Sequence, residues 1–402
     1  MGPVDTGNWL TILGLGEDGP EGLSLASRRA LEEAEIVMGP PRHLDLLPEI
    51  KAEKVVWPVP FAEGVPKLLG YRGRKVVALA SGDPFWFGAG SVITRELNAG
   101  EWRVLPGSSV FSLAAARLGW ALERVECQGL HALPFARIRP RLAPGRRLIV
   151  TLRDGAAVAA FADWLTETGF GDSQLHIMEA LGGPRERVRR VEAGTYGLED
   201  VQHPVAVAIE VAGAGHVVHG ASGQDDDLFD HDGQITKRPV RAMTLSSLAP
   251  RPGETLWDIG AGSGSIALEW LMSDPSTEAV AFEVHSERAE RIRRNAQRLG
   301  QDRLQVVEGR VPDMLDGLSL PQAVFVGGGL SRETLGWLEA HLPKGMRLVA
   351  NAVTLETEAL VVEAASRLGG SLIKLELSEA QPLGRFRGWK AAYPLVQWSV
   401  TL

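Results

Sequence analysis

Residues 254–283 constrain the fold of this chain more than any other stretch. Glu254 to Ile259 reads as a strand. Gly260, Gly262 and Gly264 follow within the run LWDIGAGSG, and Ser265 to Met272 reads as a helix. A second strand, Glu278 to Glu283, ends on an acid 19 residues after Gly264. Glycine lets the backbone approach a ligand closely, and a helix N-terminus presents free N–H groups. A carboxylate at the end of the second strand can accept both hydroxyls of a ribose. A lone glycine motif is weak. Strand, turn, helix, strand and acid in this order make a nucleoside site the expected reading.

Two nucleoside cofactors fit, a dinucleotide and S-adenosylmethionine. The third dinucleotide glycine is missing, because Ser265 and Ile266 follow Gly264. Asp258 would repel a pyrophosphate, yet it can orient the amino group of a methionine moiety. S-adenosyl-L-methionine is therefore favoured, with Asp258, Gly260, Ala261, Gly262, Ser263, Gly264 and Glu283 as cofactor-binding candidates. The loop after the third strand carries Arg310 and Val311, and reads either as the adenine flank or as an ordinary turn. Val324 to Gly329 ends the fourth strand, where a methyl acceptor lies in this architecture. The Asp/Asn-Pro-Pro-aromatic motif of amino-group methylases is absent there, and three glycines leave room for a bulky carbon nucleophile.

The rest of the chain organises around this motif. At 402 residues, two or three domains are expected. The first half also alternates strands and helices, which implies a mostly parallel sheet. Its strands include 9–16, 75–80, 102–105 and 147–152, and a helix is expected over 24–37. Residues 213–235 contain Asp225-Asp226-Asp227 and several glycines, and read as a solvent-exposed linker. The expected division is a first domain over 1–212, with two lobes split near 107–145, and a second over 236–402. Late strands at 371–377 and 393–401 are expected to pair antiparallel at a sheet edge.

Composition narrows the partners. The net charge is -8, which argues against a general nucleic-acid binder. No run of about 20 apolar residues is present, so no membrane span is expected. The start, MGPVDTGNWL, lacks signal-peptide character, and one cysteine excludes a disulfide scaffold or a cysteine zinc cluster. A cytoplasmic protein without a metal is the expectation. Of the 42 basic residues 34 are Arg and 8 are Lys. That excess reads either as genome bias or as a carboxylate-binding cleft, since arginine forks bind carboxylates. The basic run Arg137, Arg139, Arg141, Arg146 and Arg147 is expected at the surface. Cys127 and His131 are expected to be structural.

The motifs resemble a known family. Asp230 to Arg241 (DHDGQITKRPVR) followed by LWDIGAGSGSIALEW resembles the C-terminal half of the cobalamin-pathway precorrin-6Y methyltransferases. GLGEDGPEGLSLASRRALEEAEIVMG (14–39), SGDPFWFG (81–88) and PGSSVFSLAAARLGW (106–120) resemble the tetrapyrrole methylases. The resemblance covers nearly the whole chain. It implies a bilobed tetrapyrrole-methylase fold followed by a Rossmann-like class I methyltransferase. It also implies methylation of precorrin-6Y at carbons 5 and 15 and removal of the carbon-12 acetate carboxyl, with one S-adenosylmethionine in each half. The first half would serve carbon 5, and the second carbon 15 and the decarboxylation. In the first half the cofactor would be held by Gly82, Asp83 and Pro84 and by Ser108 and Ser109. In the second, Thr236 matches a contact position. Both families commonly self-associate, so a homo-oligomer is expected. The substrate is a polycarboxylate, and Lys237, Arg238 and Arg241 read either as its ligands or as a solvated basic turn. No general acid or base is identified. Readings kept beside this one are another S-adenosylmethionine methyltransferase acting on RNA, protein or a small molecule, a nicotinamide oxidoreductase, and a tetrapyrrole carrier without catalysis.

Overall fold

A computed structural model describes residues 8–402. Residues 1–7, which include most of the stretch read for a signal peptide, lie outside the described residues. The chain forms two units, one of Met1–Phe135 and Arg141–His216, the other of Ala136–Pro140 and Val217–Leu402.

The first unit contains two five-stranded sheets. The first sheet comprises β1 (Leu10–Leu15), β2 (Ile36–Gly39), β3 (Glu53–Val56), β4 (Val76–Ser81) and β5 (Trp102–Leu105). Its order is β3-β2-β4-β1-β5, and every pairing is parallel. Leu10, Ile12, Val76 and Ala78 face one apolar cluster, while Leu13, Leu15, Val77 and Leu79 face another. A sheet buried on both faces needs nearly continuous apolar strands, as found here. The helix expected over 24–37 ends at Glu33, and Ile36 to Gly39 form β2. Ile36, Val37 and Met38 are fully buried, and their pairing beside β4 outweighs continuation of the helix.

The second sheet comprises β6 (Glu126–Gly129), β7 (Arg147–Leu152), β8 (Gln174–Glu179), β9 (Arg187–Glu192) and β10 (Val205–Glu210), in the order β6-β7-β10-β8-β9. Only β6 and β7 pair in parallel. The mostly parallel expectation for the first half therefore holds for its first sheet and not its second. In the basic run, Arg146 pairs with Glu126 and Arg147 with Glu210, but Arg139 is buried rather than at the surface.

The second unit is built on a seven-stranded sheet. It contains β11 (Thr255–Ile259), β12 (Glu278–Glu283), β13 (Leu304–Glu308), β14 (Ala323–Val326), β15 (Arg347–Ala352), β16 (Ser371–Leu375) and the last strand, β19 (Leu395–Thr401). Between those two lies the hairpin of β17 (Ser378–Leu383) and β18 (Phe386–Ala391). The order is β13-β12-β11-β14-β15-β19-β16, parallel as far as β15. β19 pairs antiparallel with both β15 and β16, so the expected late pair forms and β16 is the edge. β11 has β12 on one side and β14 on the other, and their crossovers run in opposite directions. That reversal opens a crevice at the carboxyl ends of the strands, where ligands bind in open α/β sheets.

The acidic segment before this sheet is not a bare linker. Val218, Leu228 and Phe229 pack on the helix Ser265–Ser273 and on Leu299. Glu269, itself buried, accepts from the backbone N–H groups of Gly223 and Gln224 at 2.6 and 2.9 Å. Asp232 accepts from Arg288, and its carboxyl is held well below the usual carboxylate range by that guanidinium and by Arg291.

Candidate functional site

The crevice in the second unit is a cavity of about 710 Å3. Small-molecule sites commonly span about 300–1,000 Å3. Its wall includes Gly260 and Gly262 after β11, Glu283 at the end of β12, and Gly327 to Gly329 after β14. The turn is anchored by the N–H groups of Gly260 and Ala261, which donate to the carbonyl of Phe282 at 3.0 and 3.1 Å. Gly260 has φ +70°, and a Cβ there would lie 2.4 Å from the Gly328 carbonyl oxygen. Only glycine permits both the conformation and the close approach of the two loops.

Glu283 is almost fully buried. Its Oε2 accepts from Gly262 N–H at 2.9 Å and its Oε1 from His285 N–H at 3.0 Å. Each carboxylate oxygen has two acceptor sites. Two therefore remain for ligand hydroxyls, and the backbone donors fix their direction. Val284 and Val311 add apolar surface to the same wall, and Lys237, His285, Arg288 and Arg310 add basic groups.

Asp258 lies beneath the turn. It is fully buried and absent from the cavity wall. Oδ2 accepts from Ala267 N–H at 3.1 Å, and Oδ1 has no partner. Burial pushes its carboxyl up to about 7. Desolvation penalises the charged form, and one backbone donor only partly offsets it.

In the first unit, three loops meet at the carboxyl ends of β1, β4 and β5. A Cβ on Gly14 would lie 1.8 Å from the Gly82 carbonyl oxygen, which accepts from Gly107 N–H at 3.0 Å. Asp83 Oδ1 accepts from Phe85 N–H at 2.9 Å, and Ser109 caps the helix Val110–Leu118 through Ser112 N–H. Pro84 is buried and Ser108 exposed. Beside them Glu17 pairs with Arg42 and with Arg185, and Arg42 Nη2 donates to Ser81 Oγ at 3.1 Å. Burial and the charge of Arg185 lower the Arg42 guanidinium to about 10.

Two family models match the chain. The model of tetrapyrrole (corrin/porphyrin) methylases covers residues 10–196, and that of the precorrin methyltransferase domain covers 227–402. A precorrin-6Y C(5,15)-methyltransferase [decarboxylating] from Sinorhizobium sp is 48% identical over 99% of this chain and 98% of its own. One of the same name from Mycobacterium tuberculosis is 41% identical over 98% of this chain and 99% of its own. This chain belongs to the decarboxylating precorrin-6Y C(5,15)-methyltransferase family. A probable cobalt-precorrin-6B C(15)-methyltransferase (decarboxylating) from Pyrobaculum calidifontis is 32% identical over 44% of this chain and 94% of its own.

The family is one of S-adenosylmethionine-dependent methyltransferases, and the second unit fits that cofactor. A glycine cradle that a Cβ would fill and a carboxylate with two directed acceptor sites are both on the cavity wall. Of the candidates from the sequence, Thr236, Lys237, Gly260, Ala261, Gly262, Glu283, Arg310 and Val311 line this cavity. Asp258, Ser263 and Gly264 stand behind its wall. Arg238 turns away and pairs with Asp225. Arg241 is fully enclosed: Nε donates to Glu269 Oε1 at 2.5 Å and Nη1 to Asp226 Oδ1 at 3.0 Å. It is a structural cation and not a substrate ligand, because it is enclosed and makes four hydrogen bonds to acceptors on Gln224, Asp226, Thr236 and Glu269. Cys127 is half-buried, and burial raises its thiol to about 11. Asn351, Leu375, Leu377 and Leu395, which also line the cavity, carry no sequence motif. A polar residue near the carboxyl end of a buried strand was the one available signal for Asn351.

Proposed function

We propose that this chain methylates precorrin-6Y at carbons 5 and 15 and removes the carbon-12 acetate carboxyl to give precorrin-8. The single observation that carries the reading is identity of 48% along nearly the whole length of both chains. The glycine-walled cavity supports it, since it offers space beside Gly327 to Gly329 and no amine-specific motif. The first unit serves carbon 5, and the second serves carbon 15 and the decarboxylation. That division is supported by the relative named for carbon 15 and decarboxylation, which spans less than half of this chain.

Each unit takes one S-adenosylmethionine. In the second, Glu283 receives the ribose hydroxyls, the turn from Gly260 to Gly262 holds the amino-acid end, and Val284 and Val311 flank the base. In the first, Gly82 to Pro84 and Ser108 to Ser109 hold it, beside Gly14 and Gly107. When bound, the cofactor supplies an activated methyl group. The protein's own work is then positioning and exclusion of water. The meso carbons of a reduced tetrapyrrole are electron-rich, so attack needs no strong base. Arg310, with Lys237 and Arg288, which also pair with Asp226 and Asp232, attracts the substrate's carboxylates against the overall net charge of -8.

The molecule works as a homo-oligomer in the cytoplasm. The β17–β18 hairpin presents Leu383, Phe386 and Trp389 to solvent, at 67–80% exposure. Contiguous exposed apolar groups mark interfaces. A monomer in sedimentation equilibrium would remove that part of the proposal. No helix among the described residues is long and apolar enough to cross a membrane. The activity is tested by mass spectrometry after incubation with precorrin-6Y and methyl-labelled S-adenosylmethionine. Two labelled methyls gained and one carboxyl lost are expected. A product with both carboxyl and meso carbons unchanged overturns it.

A further inference from the structure

Among the polar side chains that line the cavity of the second unit, Asn351 is held by a buried hydrogen-bond network. Asn351 lies at the end of β15, is 8% exposed, and lines the cavity among Val353, Leu375, Leu377 and Leu395. Its amide belongs to a buried network from three elements. Asn351 Nδ2 donates to Thr244 Oγ1 at 3.0 Å, and Gln397 Nε2 donates to Asn351 Oδ1 at 2.9 Å. Gln397 Nε2 also donates to Thr244 Oγ1 at 3.0 Å, while Ser247 Oγ donates to Gln397 Oε1 at 2.8 Å. Thr244 Oγ1 in turn donates to the Val240 carbonyl at 2.8 Å.

Counting protons fixes the polarity of every member. Thr244 has one hydroxyl hydrogen, spent on Val240, so its oxygen only accepts from the two amides. Both Nε2 hydrogens of Gln397 are spent. Rotating the Asn351 amide by half a turn would put its NH2 against the NH2 of Gln397 and its oxygen against an oxygen with no hydrogen left. The observed orientation is therefore the one the network permits. One hydrogen remains unassigned, the second on Asn351 Nδ2, and Asn351 is the network member that lines the cavity.

We propose that Asn351 binds the substrate carboxylate that the second unit removes, donating this N–H to it, and that Thr244 and Gln397 are positioning residues that aim the amide. The proposal rests on the decarboxylation assigned above to this unit. In the step, the bond between the acetate methylene and its carboxyl carbon breaks, and its electron pair passes into the conjugated ring. Carbon dioxide leaves, and the methylene takes a proton from water to become a methyl group. Negative charge leaves the carboxylate in the transition state. A guanidinium at this position would stabilise the ground state more than the transition state and slow the reaction. A neutral donor in an apolar wall fixes orientation at less cost. The basic groups Lys237, Arg288 and Arg310 are left for carboxylates that stay.

The test is single-turnover carbon dioxide release from precorrin-6Y by the full chain. Asn351→Leu is expected to lower the rate constant about tenfold or more, with a smaller change in the half-saturating substrate concentration. Its S-adenosylmethionine affinity should match the parent's, while its melting temperature falls because Gln397 Nε2 loses its acceptor. In Asn351→Asp, release should fall further at neutral pH and recover as the pH drops and the new carboxyl takes up a proton. Thr244→Val should slow release, and Thr244→Ser, which keeps the hydroxyl, should restore it. Parent-like release by Asn351→Leu, or an Asn351→Asp rate with the parent's pH profile, overturns the inference while leaving the proposed function intact. If the parent chain releases no carbon dioxide, that function and this inference fall together.

Discussion

At the scale of the residue, Asp258 shows how a motif position acquires a property the motif does not state. The sequence places it two residues before a glycine turn and suggests contact with a ligand amine. Its burial behind the turn leaves one oxygen without a donor and raises its carboxyl to about 7. An acid raised in the folded state keeps a proton that the unfolded chain has already released. Stability from this group is therefore complete below about pH 4 and is lost as pH rises through about 7, at up to about 1.4 kcal/mol per pH unit. Asp258→Asn keeps an acceptor for Ala267 N–H and removes the titration. The variant's melting temperature should gain on the parent's between pH 5 and pH 8. Parallel curves across that range would show that Asp258 is not protonated by burial. The contrast with Glu283 is instructive, because its two backbone donors come from positions 262 and 285, within the same local motif. Glu283 was legible for that reason. Asn351 was not, since its orientation depends on Thr244 and Gln397, which are 107 and 46 residues away.

At the scale of the element, the parallel strands were readable because both their faces are buried and apolar runs betray them. The antiparallel second sheet and the β17–β18 hairpin were not. β17 and β18 carry exposed residues on both faces, so no alternation announces them. The stretch 217–235 misled for an electrostatic reason. Its acids suggest solvent, but Asp226 pairs with Arg241, and Asp230 and Asp232 pair with Arg294 and Arg288, 64 and 56 residues away. The buried contact of Arg241 in helix Arg238–Leu248 with Glu269 in helix Ser265–Ser273 ties that stretch to the sheet. Removing one member leaves a charge uncompensated in the interior. Glu269→Ala is expected to cost about 3–5 kcal/mol in chemical denaturation. Arg241→Leu together with Glu269→Leu should cost clearly less than the sum of the single changes, because both charges go. Additive losses would mean that the two do not form a coupled pair.

At the scale of the whole molecule, two units with separate sheets and separate glycine-walled loops imply two chemistries that can be lost one at a time. The glycines offer the cleanest instruments. In the first unit, Gly14→Ala drives a methyl group into the Gly82 carbonyl, 1.8 Å away, and so displaces the loop expected to hold the cofactor. In the second, Glu283→Ala leaves Gly262 and His285 without their acceptor and removes the group proposed to receive the ribose hydroxyls. Neither change reaches the core of the other unit. Gly14→Ala should therefore yield a product with one methyl gained and the carboxyl lost. Glu283→Ala should yield one with a single methyl gained and the carboxyl retained. Mass spectrometry of both products from the same substrate reads the division directly. If either variant loses both methylations, or if Glu283→Ala still decarboxylates at the parent's rate, the two reactions are not partitioned between the two units.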